Sequence, residues 1–222
     1  MPKPQRAPAK KRVTLQKQQR ERFDDLIVSP ATSVFINCPY DANYAPLFDA
    51  IVFATTACGY LARSALESGS VAESRMERII KPVFASRYSI HDLSRCRGEG
   101  SEALARFNMP LELGIAMARR FAGGAAQHDW LVLVPEGHEY LKFVSDLSAF
   151  DLKKHNGTVE GVVPKVMAWL ATRPDAVIGP TPDQVLAVLP AFAAKKQELM
   201  NTWRDELPWA DLILAAREYV PE

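Results

Sequence analysis

The run Asn108-Met109-Pro110-Leu111-Glu112-Leu113-Gly114-Ile115-Ala116 places one carboxylate near the start of an apolar helix. It comes after a β-prone segment that closes on Ile90-His91-Asp92-Leu93-Ser94. With Pro110 as the first helical residue, Glu112 is the third, and the positive helix end there favours an ionised carboxylate. An ionised carboxylate can attack or stabilise an anomeric carbon through an oxocarbenium-like transition state. The implied chemistry is on a sugar or a nucleotide, with Glu112 as nucleophile or base. Plain helix capping is the competing use of a Glu at this position.

The other candidates lie at strand ends. Asp92 could accept hydrogen bonds from ribose hydroxyls or hand protons to Glu112; it could equally cap its own loop toward Ser94. Asn37 and Asp41 flank the turn after the first strand and could bind sugar or base edges, while Tyr40 and Tyr44 could stack on a base. Arg95, Arg97 and Arg106 could grip phosphate through paired hydrogen bonds, or form a solvated loop. Arg63, with Glu67, reaches the same mouth or forms an internal ion pair. Ser94 and Asn108 complete the set of candidate substrate contacts. Cys38 and His91 close two strands that would be neighbours, which makes a rival Cys-His nucleophile pair.

Several familiar signals are missing. No Gly-x-Gly-x-x-Gly follows the first strand and no phosphate loop with Gly-Lys-Ser/Thr occurs, which argues against a Rossmann-bound dinucleotide coenzyme and against an ATPase. His128, His138 and His155 lack metal-ligand spacing and read as surface residues. Neither a metal nor a resident cofactor is expected; NAD would be a substrate.

Strand and helix patterns alternate five times after Pro30. Ser33-Val34-Phe35-Ile36-Asn37 reads as strand 1, with a largely buried helix from about Tyr44 to Ala57, ended by Gly59. Tyr60-Leu61-Ala62-Arg63 is strand 2. Met76, Ile79, Ile80, Val83 and Phe84 make the best helical stripe, with a kink or early stop expected at Pro82. Tyr88-Ser89-Ile90-His91 is strand 3, and a long polar connection over 94–108 leads to the Pro110 helix. Leu131-Val132-Leu133-Val134 is a buried strand 4. A helix near Glu139–Leu147, a short edge strand near Ala149-Phe150-Asp151-Leu152 and a helix from about Gly161 to Thr172 complete the pattern. Thr181-Pro182-Asp183-Gln184 is a capping box that opens the first of two C-terminal helices, about 182–204 and 208–219.

This alternation predicts an α/β fold: a flavodoxin-like five-stranded parallel sheet of order 2-1-3-4-5, with helices on both faces plus the C-terminal helices. The switch point of that order lies between strands 1 and 3, which draws the loops after them and the Pro110 helix into one cleft. Three regions are expected: a basic arm over 1–30, the α/β domain over 31–173 and a helical extension over 174–222.

Composition sets the outer limits. At 222 residues and 48% hydrophobic content, the chain can fill one sizeable core but not two full α/β domains. Residues 1–30 carry 8 Lys/Arg against 3 Asp/Glu and the rest carries 19 against 23, so a basic arm precedes a mildly acidic body. The arm is a solvated leader or a contact for nucleic acid or an acidic partner. The start has no apolar signal core, no run is long enough to span a bilayer, and Cys38, Cys58 and Cys96, an odd number without metal-ligand spacing, read as reduced thiols. The expectation is a cytoplasmic protein without membrane contact. In that compartment the sequon Asn156-Gly157-Thr158 carries no meaning.

The polar turn after strand 1, the Asp closing strand 3 and Glu-x-Gly-x-Ala at Glu112–Ala116 together resemble the nucleoside 2-deoxyribosyltransferases and their relatives among Toll/interleukin-1-receptor (TIR) domains. Phe35-Ile36-Asn37 matches the TIR-like first strand, and Leu147 to Leu152 with the helix ending Trp169-Leu170 is similar to the last strand–helix unit. The likeness covers residues 33 to about 171. Asn108-Met109-Pro110 departs from the small residues usual in the transferases, and the Trp-Cys pair common before the TIR glutamate is missing. The resemblance implies a catalytic Glu112 at the N-glycosidic bond of a nucleoside, nucleotide or NAD, with Asp92 assisting. It implies hydrolase or deoxyribosyltransferase-like activity, a site completed in a homo-oligomer, and a place among nucleotide-depleting effectors of bacterial antiviral defence. The alternative is a nucleotide-binding sensor or adaptor of the same fold without turnover. Trp209-Ala210-Asp211-Leu212-Ile213-Leu214 offers either an oligomer surface or packing on the chain's own sheet.

Overall fold

Five short β-prone runs separated by helices assemble into one parallel sheet of order β2-β1-β3-β4-β5. The computed structural model describes residues 29–95, 108–124, 127–137, 139–142 and 144–221. Nearly all of the basic arm, with its helix-prone stretch, lies outside these residues, as do Cys96, Arg97, Arg106 and His138. The strands are β1 (Ser33–Asn37), β2 (Leu61–Arg63), β3 (Tyr88–Asp92), β4 (Asp129–Pro135) and β5 (Lys153–His155). The helices are α1 (Ala45–Ala57), α2 (Arg75–Phe84), α3 (Asn108–Gly123), α4 (Val159–Leu170), α5 (Pro182–Trp203) and α6 (Trp209–Glu218). The arrangement is flavodoxin-like, as the alternation of elements predicts.

The pleat of the strands assigns the two faces. Val34, Ile36, Tyr88 and Ile90 point to one side, into the main core with α1, α4, α5 and α6. Phe35 points to the other side and meets Ile79 and Val83 of α2 and Ala116 of α3. By the same alternation Asp92 belongs to the α1 side, whereas Asn37, Ser89 and His91 belong to the α3 side.

Helix α1 reads Ala-Pro-Leu-Phe-Asp-Ala-Ile-Val-Phe-Ala-Thr-Thr-Ala, apolar on nearly every side, because it is covered on nearly every side. The sheet lies beneath it and α4, α5 and α6 pack around it. Phe53 stacks on Phe192 of α5 at 4.9 Å between ring centroids. Trp209 of α6 is buried and donates its indole N–H to the Ala62 carbonyl of edge strand β2 at 3.1 Å. The apolar run at Trp209 therefore packs on the chain's own core, and its indole satisfies a carbonyl of an edge strand. The Thr181–Gln184 capping box opens α5 as expected.

Three local expectations need correction. Of the kink or early stop expected at Pro82, the stop does not occur there: helix α2 runs on to Phe84, and the Ser86 hydroxyl donates to the Pro82 carbonyl. Only Ile79 and Val83 of its apolar stripe are buried, with Met76, Ile80 and Phe84 exposed. The region expected as a helix near Glu139–Leu147 is two 3-10 turns, Glu139–Lys142 and Ser145–Ala149, which bury Tyr140 and Leu147 against α3 and β4. The fifth strand lies at Lys153–His155, beyond the expected Ala149–Leu152. There the Phe150 and Leu152 N–H groups are spent on local bonds to the Leu147 and Phe150 carbonyls, so they cannot join the ladder. No helix among the described residues is long and apolar enough to cross a membrane.

Candidate functional site

Two buried carboxylates, Asp92 at the carboxyl end of β3 and Glu112 on helix α3, lie on opposite faces of the sheet, and their surroundings differ sharply. Asp92 is fully buried at the tip of β3. Its Oδ1 accepts the Ser94 backbone N–H at 2.7 Å and also the Ser94 hydroxyl. Its Oδ2 accepts the Tyr44 hydroxyl and lies 3.0 Å from His155 Nε2. The Gly157 N–H donates to His155 Nδ1 at 3.1 Å, so the proton of the neutral ring sits on Nε2, facing Asp92 and the Ser94 Oγ 2.9 Å away. A proton already on Nε2 prevents that nitrogen from taking one from Ser94, so this is not a serine-nucleophile triad.

Beside this cluster opens a cavity of about 380 Å³ lined by Tyr44, Ser94, Arg95, Glu136, His155 and Gly157, among others. Arg95 closes a paired salt bridge with Asp41, at 2.5 and 3.1 Å, and Asp41 also accepts the Tyr44 N–H. Glu112 is not among the described lining of this cavity.

Glu112 lies on the α3 side. The described helix opens at Asn108, not Pro110, so Glu112 falls in its second turn rather than at its third position. The helix-end argument for an ionised carboxylate is thereby weakened, and burial acts the other way. Glu112 is 2% exposed and its Oε2 has no partner among the described residues. Desolvation pushes its pKa up to about 7, against the pull of the Arg75 guanidinium. Such a carboxyl is poised to exchange protons near neutral pH.

Asn37, at the tip of β1, is fully buried and reaches α3 through its Nδ2, which donates to the Met109 carbonyl at 3.1 Å. The same nitrogen faces His91 Nδ1 at 2.9 Å, and Asn37 Oδ1 has no partner among the described residues. Tyr40 holds Ser64 through its hydroxyl at 3.0 Å, and burial raises its pKa well above the ordinary phenol value, as it does for Tyr44. Arg63 is engaged at 2.5 and 3.1 Å by Glu67, so the ion pair is the form it takes here. Asn108 is exposed at the start of α3.

The structure therefore brings Asn37 to the helix that carries Glu112, and sets Ser94 and Arg95 in the lining of the cavity on the other face, held by Asp92 and Asp41. It does not pair Asp92 with Glu112. The Cys38–His91 nucleophile pair fails on two counts. Burial pushes the Cys38 thiol well above its ordinary value, helped by the charges of Asp92, Glu112 and Asp49. The ring nitrogens of His91 are engaged by Asn37 and by Ser89.

His128 and His155 are buried, not surface residues. Metal-ligand spacing does not report a histidine buried by hydrogen bonds, as His128 is; among the described residues no group of three or more His, Cys, Asp or Glu is placed to hold a metal ion. A polar Ser-x-His on one face of the central strand β3 was the signal available for this network.

The fold and the strand-end site define a flavodoxin-like α/β protein. No family model, curated protein or solved structure matches the chain.

Proposed function

We propose that the chain cleaves or exchanges the N-glycosidic bond of a nucleoside, a nucleotide or NAD, with Glu112 as the catalytic carboxylate. The observation that carries this reading is the buried Glu112 Oε2 without a partner, on a group whose pKa is lifted to about 7. A buried polar atom left unsatisfied is costly and calls for a functional account. The Glu-x-Gly-x-Ala resemblance supports the same assignment.

In this reading the C1′–N bond breaks and its electron pair leaves with the base, which takes up a proton. Ionised Glu112 bonds to C1′ or stabilises the oxocarbenium ion, and water or a second base then completes hydrolysis or transfer. Asp92 moves from proton partner to positioning residue, because its oxygens already serve Tyr44, Ser94 and His155. Arg95, held by Asp41 at the cavity, is a cation placed to meet a phosphate. Action as a homo-oligomeric cytoplasmic defence effector, with the basic arm touching nucleic acid or an acidic partner, belongs to the same proposal.

The depth of Glu112 favours a second reading, a nucleotide sensor or adaptor that binds without turnover. The test is incubation of the full chain with NAD, nucleosides and nucleoside monophosphates, followed by chromatography of the freed base. Base release that falls about 1,000-fold in Glu112→Gln supports catalysis. Release that is equal in the variant removes Glu112 from the chemistry. Thermal stabilisation by a nucleotide without product selects the sensor.

A further inference from the structure

A line of hydrogen bonds runs under α3 from the far end of β3 to Asn37, and the chemistry of its end groups fixes the direction of every bond. The Ser86 carbonyl can only accept, so His128 Nδ1, 3.0 Å away, donates to it. Burial pulls the pKa of His128 down to about 4, so the ring is neutral and its Nε2 accepts from the Ser89 hydroxyl at 2.9 Å. Ser89 Oγ in turn accepts from His91 Nε2 at 2.8 Å. Burial brings His91 down to about 3, so it too is neutral, and its Nδ1 accepts from Asn37 Nδ2 at 2.9 Å. The Met109 carbonyl, also acceptor-only, takes the other Nδ2 proton at 3.1 Å. Both amide protons of Asn37 are thus committed, and its buried Oδ1 has no donor among the described residues.

We propose that the Ser89–His91–His128 line is a positioning device that locks the Asn37 amide so that Oδ1 accepts a hydrogen bond from the ligand's 2′-hydroxyl, which selects ribonucleosides or ribonucleotides over their 2′-deoxy counterparts. The proposal rests on the reading of Glu112 as the group acting at C1′. Asn37 binds α3 at Met109, one helical turn before Glu112, so the locked amide and the group that addresses C1′ are joined through one turn of the same helix. The hydroxyl nearest C1′ is the one on C2′. The unpartnered Oδ1 asks for a donor, and deoxyribose has none at that carbon. Ser89, His91 and His128 act through Asn37 and do not touch the ligand.

The test uses the full chain and paired ribo- and 2′-deoxyribonucleoside 5′-monophosphates of adenine, guanine and cytosine, read by titration and by base release. The ribo member of a pair binds about tenfold more tightly, the scale of one neutral hydrogen bond. Ser89→Ala raises KM for the ribo member to the deoxy value and leaves kcat within about threefold, while Ser89→Thr, which keeps the hydroxyl, restores the preference. In the unaltered chain, ring-nitrogen NMR finds His91 as the Nε2–H tautomer and His128 as Nδ1–H. Equal binding of both members, binding of none, a preference that survives Ser89→Ala, or an Nδ1–H His91 overturns the proposal. A ribo preference with base release unchanged in Glu112→Gln overturns only the catalytic role of Glu112. Turnover lost in Glu112→Gln without a ribo preference overturns only the role of Asn37.

Discussion

Asp92 and Glu112 are carboxylates of similar depth, yet one is saturated and the other is not. Asp92 is enclosed by the Ser94 N–H, two hydroxyls and a histidine N–H. Glu112 keeps one oxygen without a donor among the described residues, under a burial that lifts its pKa to about 7. A saturated carboxylate gains hydrogen bonds to a charge in the folded state and so contributes to stability. An unsaturated one costs stability, and the compensation lies in what it can do to a ligand. Burial alone does not separate architecture from chemistry; the pairing of the buried atoms does.

The sharpest way to break this contrast is to neutralise each side in turn. Glu112→Gln lowers base release about 1,000-fold, roughly 4 kcal/mol of transition-state stabilisation, and leaves the melting temperature equal or higher. Asp92→Ala does the reverse. It strands Tyr44, Ser94 and His155 without their acceptor and lowers unfolding stability by about 4 kcal/mol in urea titrations. If the destabilising variant proves to be the Glu112 change, the assignments of the two residues must be exchanged.

The sequence carries the fold far better than the site. Strand order and element sequence follow from alternating periods, and α1 and the Thr181 cap announce themselves through composition and spacing. The edge strand was misplaced because Phe150 and Leu152 look β-prone, yet local turns consume their N–H groups. Within the site, motif spacing found Glu112 and Asp92 but not that they lie on opposite faces. That separation depends on the parity of residues along β3, where Asp92 shares a face with Ile90 while His91 shares one with Ser89. Whether a buried carboxylate is saturated depends on residues distant in the chain, such as Tyr44 and His155, and no local spacing reports it.

A pH series sharpens the contrast through stability instead of turnover. Folded Glu112 titrates at about 7 against an ordinary 4.5, so between these values the native state keeps a proton that the unfolded chain has lost. The stability it contributes is full below about pH 4.5, falls as pH rises and is gone above about 7, a span of about 3 kcal/mol. His91 and His128 slope the other way. Their folded values of about 3 and about 4 lie below 6.5, so their contribution is present above 6.5 and is lost as pH falls. Urea midpoints from about pH 5 to 8 in Glu112→Gln lose the falling limb that Glu112 supplies and keep the histidine slope. A variant whose profile matches that of the unaltered chain would show that Glu112 is not desolvated in solution.

The smallest effect tests how local the saturation of Asp92 is. Ser94→Ala removes the hydroxyl between Asp92 Oδ1 and His155, but the residue 94 N–H still reaches Oδ1 and His155 still reaches Oδ2. One hydrogen bond to a charged acceptor is lost from a network that keeps its other donors, so the cost is about 1 kcal/mol in unfolding stability. Base release changes by less than about threefold, because the hydroxyl serves a carboxylate that positions the β3 tip and does not meet C1′. A drop of about 100-fold at unchanged stability would move Ser94 and Asp92 into the chemistry and reverse the contrast with Glu112.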